Sequence, residues 1–480
     1  MKRETKILIV LFVLAFVIRG IFFFSTPIKG WDETVYSNLG YDLSHNPFDY
    51  SVENNGWSDF IPGAEKLYSW PNIGFRAPLL PYILSLFYLL NLEFITSFFM
   101  VFIGALSVCL VYVLGKKMFD EKIGIYSAIL FSFIPVHILY SGKILTEVFS
   151  GFFILLSFLS FWKGYEENNK KHKILFGVFL ALAVLSRYTA IWIIPVFFLY
   201  FLARNKSLKF LKDKYLWYSC LAFILCLVPL FIYGITHYNN FLGAFIHGFK
   251  AALYSGGIQP WNFYFNHWFE MFFVIGIVFA IGLIYIAYKK DFFKKEIYFL
   301  LIWFVFFLGM AVYMPHKEDR FIIAIIPVIA LISGYFLDKV KKYKKLILIG
   351  IIVTSLIFLS INFSSVYRNT HTDTFRCFLE ANKFLKNQEN ALVITDESPL
   401  IYHYSKQATH FYPNPWSYES LKSLIENDYP DKNGFVFFTN FDMPLADEEH
   451  RKIKEDLDKN LEKVFECGEG EVFSIVYKFS

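Results

Sequence analysis

Runs of about 16 to 22 apolar residues recur along most of this chain, the length that crosses a bilayer as α-helix. Short loops part them, and Lys and Arg collect in those loops. A soluble domain has one core to fill and no use for so many separate apolar stretches. The 480 residues are 56% hydrophobic and include 59 Phe and 31 Tyr, which fits a polytopic helical membrane protein. The net charge of +5 is therefore topology information and not a nucleic-acid footprint, because its cations sit between apolar runs. The first run, Ile7 to Phe24, follows Lys2, Arg3 and Lys6. No small-x-small cleavage site comes after it, so it reads as a retained helix.

The basic clusters at Lys116-Lys117, Lys163 to Lys173, Arg204 to Lys214, Lys289 to Lys295 and Lys339 to Lys345 are expected in the cytoplasm. Pairs of apolar runs return to each of them. The run Ala77 to Leu92 breaks that parity; it is short and contains Pro78 and Pro81, and it reads as a partial or re-entrant segment. About eleven spans remain, with the N-terminus inside. This arrangement gathers on the outer side the first loop 25–76, the turn Ser141 to Glu147, the turn at Arg187, the loop 237–266 and the turn 315–320.

From about residue 365 the composition changes. "ALVITD", "GFVFFT" and "VFSIVYKF" read as strands, alternating with helical patterns at 373–387, 417–427 and 447–460. The chain is expected to divide into a membrane module, 1–364, and a small extracytoplasmic α/β domain, 365–480. Of five cysteines, Cys109, Cys220 and Cys226 lie in apolar runs, and none has metal-ligand spacing. Cys377 and Cys467 could pair; the sequence leaves that open.

The outer side carries the candidate chemistry. Asp32 and Glu33 stand just after the first apolar run, before Val35, Leu39 and Leu43 at helical spacing. One reading makes 33–44 an amphipathic helix on the membrane surface, with Asp32 as its N-cap and Glu33 as its first-turn acid. That does not prevent a capping Asp from also acting as a general base. Arg76 stands on the side where cations are less expected, and either snorkels to headgroups or grips a phosphate. Lys143 and Glu147 lie four apart in "YSGKILTEVF", which an ordinary exposed pair would also explain. "PHKEDR" packs His316, Lys317, Glu318, Asp319 and Arg320 between two spans. Arg187, in "LSRYTA", is the weakest candidate of the group, since capping a helix end would also account for it. Charges at a bilayer edge are costly, so their convergence marks a functional site.

These residues resemble those of the GT-C membrane glycosyltransferases. The acidic pair after the first helix, the basic residue in "FRAPLLPY" and the "LTE" opening a helix are similar to features of protein O-mannosyltransferases and lipid A aminoarabinose transferases. "HKEDRF" before "IIAIIP" is similar to the HKEERF motif of mannosyltransferases that use dolichyl-phosphate mannose. Near the basic residue those families usually have Lys-Pro-Pro, where this chain has Arg-Ala-Pro. The resemblance covers roughly residues 1 to 340. It implies transfer of a mannose-like hexose from a polyprenyl- or dolichyl-phosphate carrier to a glycan, lipid or protein hydroxyl, in the cell membrane and on its outer face. It further implies that Asp32 is the base, that Glu33 and Glu147 orient groups, and that Arg76, Lys143, His316, Lys317 and Arg320 face the carrier phosphate. One base and a single displacement predict inversion. Oligosaccharyltransferases of this fold hold a metal and carry a WWDYG-type motif. That motif is missing here, so no metal or other cofactor is expected to be required, although Asp32 and Glu147 could hold an ion.

Three other classes fit less well. A polymerase or ligase of lipid-linked glycans would share the outer site and differ in its donor. A transporter or flippase would place ionisable groups deep in spans and show internal repeats, and none is evident. A membrane-anchored binding protein would keep its function in 365–480 and make the charges among the helices dispensable.

Overall fold

The structure is a computed structural model, and it describes residues 2–23, 28, 30–48, 50, 76–254, 257–370, 372–412, 417–429, 433–441, 448–470 and 472–479. Most of the expected first outer loop, residues 51–75, lies outside the described residues. The chain forms two compact units. One comprises 1–25, 74–80 and 92–363; the other comprises 26–73, 81–91 and 364–480.

The first unit is a helix bundle. Among the described residues, nine helices are long and apolar enough to cross a membrane, or ten if one bent pair counts as a single span. The helix Lys170–Ser186, which the sequence counts among about eleven spans, has 17 residues. The bent pair is Glu121–Ser132 and Pro135–Ser141, which meet at 65°. Pro135 at the start of the second helix has no N–H to continue the first, so the chain breaks there. Polar residues set several helix starts. Asp120 accepts from the Ile123 N–H at 2.9 Å, and Asp213 from that of Tyr215 at 2.9 Å. Glycine lets helices cross closely: a Cβ at Gly115 would lie 2.9 Å from Gly124 Cα, and one at Gly177 would clash with the Ser219 carbonyl. Between the crossings, aromatic rings fill the core. Phe158 lies flat on Trp303 with centroids 3.4 Å apart, and Phe299 packs beside both Phe158 and Phe161. The expected basic clusters are engaged with acids, as in Lys173–Asp213 at 2.7 Å and Lys295–Glu166 at 2.6 Å.

The second unit is built on a five-stranded sheet in the order β2-β1-β3-β5-β4, with β1 Leu392–Thr395, β2 Ala408–Phe411, β3 Gly434–Thr439, β4 Glu462–Cys467 and β5 Ser474–Phe479. β1 runs parallel to β2 and β3, while β5 is antiparallel to β3 and β4. Helices cover both faces, so β1 and β3 are buried throughout and read as unbroken apolar runs. Ile394, Val436 and Tyr477 meet Leu421 and Leu457 on one face; Val393, Phe437 and Val476 meet Phe378 and Ile401 on the other. A disulfide joins Cys377 and Cys467, whose Cα atoms are 5.2 Å apart.

The helix Trp31–His45 belongs to this unit, and its setting corrects the expectation of a helix lying on the membrane surface. Gly40 sits against Leu84 and the Pro81 carbonyl. Asn38 donates to the Pro399 carbonyl at 2.9 Å, Tyr402 donates to Asp42, and Trp31 stacks on Phe411 at 5.6 Å. Residues 33–40 are consequently buried all round. Its cap also differs from the expected one. Gly30 is the N-cap, and the Glu33 carboxylate reaches back to the Gly30 N–H at 3.2 Å. Asp32 is thus in the first turn and is not the capping residue.

Candidate active site

In the bundle, the residues with chemical potential come from three turns. Helix Thr146–Phe161 opens with Thr146 and Glu147, so the Glu147 carboxylate sits at a helix N-terminus, where negative charge is favoured. Helix Lys170–Ser186 ends at Arg187. The turn 314–318 leads into the 3₁₀ segment Asp319–Ile325.

These turns meet at Glu147. Its Oε1 lies 2.8 Å from Arg187 Nη1 and 3.3 Å from Arg320 Nε, and its side chain is only 4% exposed. Arg187 also donates to Thr146 Oγ1 and Thr189 Oγ1, each at 3.2 Å. Arg320 Nη2 donates to Glu318 Oε1 at 2.7 Å, and His316 Nε2 lies 2.9 Å from the same oxygen. The Phe321 ring lies near both guanidiniums, 4.9 Å from Arg187 Cζ and 5.5 Å from Arg320 Cζ. Tyr140 donates to Asp319 at 2.6 Å, and Lys143 Nζ lies 5.2 Å over the Tyr140 ring.

Of the residues singled out in the sequence, Glu147, His316 and Arg320 come together with their neighbours Glu318 and Asp319. Lys143 stands at the edge of the same group. Lys317 does something else: its ammonium donates to the Gln259 and Met314 carbonyls, and burial lowers its pKa below the usual lysine value. It ties the turn to the segment at Gln259, which precedes the helix Trp268–Lys289. Arg76 belongs to this unit, and its main-chain carbonyl accepts from Tyr188 at 3.3 Å. Asp32 and Glu33 belong to the other unit. Arg187 is the residue that sequence reasoning undervalued. It does end a helix, but its side chain bridges to Glu147; the only signal was an Arg at an apolar helix end on the same expected side as Glu147. Among the described residues, no three His, Cys, Asp or Glu side chains gather as ligands for an ion.

An apolar helix bundle whose chain continues into a small α/β domain is the architecture of the GT-C membrane glycosyltransferases. The fold is shared with ArnT from Cupriavidus metallidurans bound to undecaprenyl phosphate, with a TM-score of 0.75 and 10% identity, covering 98% of this chain and 97% of that one. It is shared also with the Archaeoglobus fulgidus oligosaccharyltransferase in its apo form, with a TM-score of 0.62 and 14% identity over 91% of this chain and 69% of that one. The same archaeal enzyme, AglB, in complex with an inhibitory peptide and a dolichol-phosphate gives 0.60 and 12%, covering 98% and 74%. Residues 72–397, more than half of the chain, match the Alg9-like mannosyltransferase family, and the chain belongs to that family. It is by family a glycosyltransferase, and by its apolar helices a multi-span membrane protein. An uncharacterized protein of Aquifex aeolicus (strain VF5) is 28% identical over 260 residues, which is 52% of this chain; the chain spans 51% of that relative's length.

Proposed function

We propose that this protein transfers a hexose, mannose-like, from a polyprenyl- or dolichyl-phosphate carrier to a hydroxyl of a glycan, lipid or protein acceptor. The observation that carries the reading is the clasp of Arg187 and Arg320 on Glu147. A carboxylate between two guanidiniums fixes both forks, and fixed forks match the oxygens of a phosphate. In the step, the acceptor oxygen bonds to the anomeric carbon from one side. The bond to the carrier phosphate breaks on the other side, and its electron pair leaves on polyprenyl phosphate. A carboxylate base takes the acceptor proton, and Arg320, Arg187 and Arg76 stabilise the departing charge, so the anomeric centre inverts. His316 and Lys143 border the phosphate, Lys317 holds the turn, and Glu33 serves its helix cap.

The reaction is proposed to run without a metal, in the cell membrane, with the site and the second unit outside the cytoplasm. The Cys377–Cys467 disulfide supports that side, because such bonds persist in oxidising compartments. The lipid-bound ArnT and AglB structures support the carrier class. Purified protein in lipid nanodiscs, given candidate polyprenyl-phosphate sugars, is expected to release polyprenyl phosphate both with and without EDTA. Turnover only of a pyrophosphate-linked donor, and only with a divalent ion, would overturn the reading in favour of an oligosaccharyltransferase-type reaction.

A further inference from the structure

We propose that Arg19 is a positioning residue for transfer, setting from inside the bundle the short helix that puts Tyr140 on Asp319. The inference rests on reading the Glu147–Arg320 cluster as the site. Arg19 lies in the first helix, Arg3–Phe23, and is completely buried. Its guanidinium donates to the Ala15 carbonyl at 3.2 Å and to Ser141 Oγ at 3.2 Å, and its Nη2 lies 3.0 Å from His137 Nδ1. A guanidinium has donors only, so His137 Nδ1 accepts and the imidazole is neutral. Ser141, having accepted from Arg19, donates back to the His137 carbonyl. All three partners of this buried cation are neutral. An apolar side chain would fill the same space at lower free energy, so stability alone gives no reason for an arginine here.

The partners show what the arginine holds. His137 and Ser141 both belong to Pro135–Ser141, a seven-residue helix that follows the 65° break. So short a helix cannot orient itself, and its setting comes from tertiary contacts. Room has been left for this contact: a Cβ at Gly104 would fall 2.6 Å from Ser141 Oγ and 3.2 Å from Arg19 Cδ. Between His137 and Ser141 stands Tyr140, whose hydroxyl donates to Asp319, next to Arg320. The chain then turns through Gly142 and Lys143 to reach Glu147. Arg19 grips the short helix through His137 and Ser141, and Asp319 receives Tyr140 from that same helix.

The test is a double-mutant cycle on donor-sugar transfer in nanodiscs. Arg19→Met with His137→Leu replaces the polar group by apolar side chains of similar size, and Ser141→Ala removes a single hydroxyl should the larger change impair folding. Thermal unfolding is expected to stay close to wild type, while kcat falls by ~10- to 100-fold, the scale of a misplacement of about 1 Å. Tyr140→Phe should slow the wild type but add nothing in the Arg19 or Ser141 background, because its hydrogen bond is already lost there. A merely structural arginine predicts additive effects. Full turnover in both backgrounds, or an equal Tyr140→Phe effect in every background, would overturn the proposal. Glu147→Gln measured in parallel keeps the two readings apart: if it turns over normally, the site assignment fails whatever Arg19 does.

Discussion

Arg187 Nη1 lies 2.8 Å from Glu147 Oε1, joining the end of one helix to the start of another forty residues away in sequence. Arg320 meets the same oxygen from a third turn. Removing the charge of Glu147 would leave two cations facing each other in a site that is only partly wet. Glu147→Gln is therefore expected to lose about 3–5 kcal/mol of stability, the range for breaking a buried ion pair, together with transfer activity. Arg187→Lys should retain part of both, since it keeps the charge and loses the fork. Denaturation in detergent and transfer assays at matched protein levels check both.

At the other acidic position, capping and catalysis can be separated. Gly30 is the cap and Glu33 closes the box, so Asp32→Asn should leave the helix Trp31–His45 intact. If Asp32 is the base, its turnover falls by roughly 10²–10⁴-fold. Glu33→Gln can still accept from the Gly30 N–H, and should keep most activity. An Asp32→Asn protein with normal turnover would remove Asp32 from the chemistry.

Arg76 distinguishes a phosphate grip from snorkelling. Arg76→Lys is expected to keep part of the activity and Arg76→Gln to lose ~10²- to 10³-fold, because a neutral amide cannot stabilise a departing phosphate. Transfer measured against donor concentration decides. Equal donor affinity and turnover in Arg76→Gln and wild type would shift the phosphate role onto Arg320 and Arg187.

The disulfide closes a loop across a sequence separation of 90 residues. Cys377→Ala with Cys467→Ala is expected to cost about 2–5 kcal/mol in the second unit. Limited proteolysis under oxidising and reducing conditions would show cleavage beyond residue 365 rising when the bond is absent.

Stability should also fall in mild acid. Burial, with Lys406 nearby, lowers the pKa of His403 to about 3, while the unfolded chain takes up that proton near ~6.5. Between those values the unfolded state binds more protons, so stability declines as pH drops through that window. Urea midpoints at pH 7 and pH 5 should differ less in His403→Gln than in wild type.

The sequence by itself determined the parts of this protein that depend on one-dimensional patterns. Apolar length marked the membrane helices, and the change to short apolar runs marked the α/β domain with β1, β3 and β5. β2, "ATHF", and β4, "EKVFEC", were not legible, because an edge strand is buried on too little of its surface to show a pattern. The turn "HKEDRF" stood out because charges at a bilayer edge are costly. Which of its charges meets which partner was decided by tertiary structure alone. Arg320 turned to Glu147, while Lys317, three residues earlier, turned to two main-chain carbonyls. Arg187 looked like a helix end and Arg19 did not stand out within the first apolar run, and only packing brought them to Glu147 and to His137. Hydropathy fixes that a helix exists and roughly where it ends. The rotation of each helix about its own axis, which decides whether two side chains meet, comes from close crossings such as Gly104 against Ser141 and from the break before Pro135.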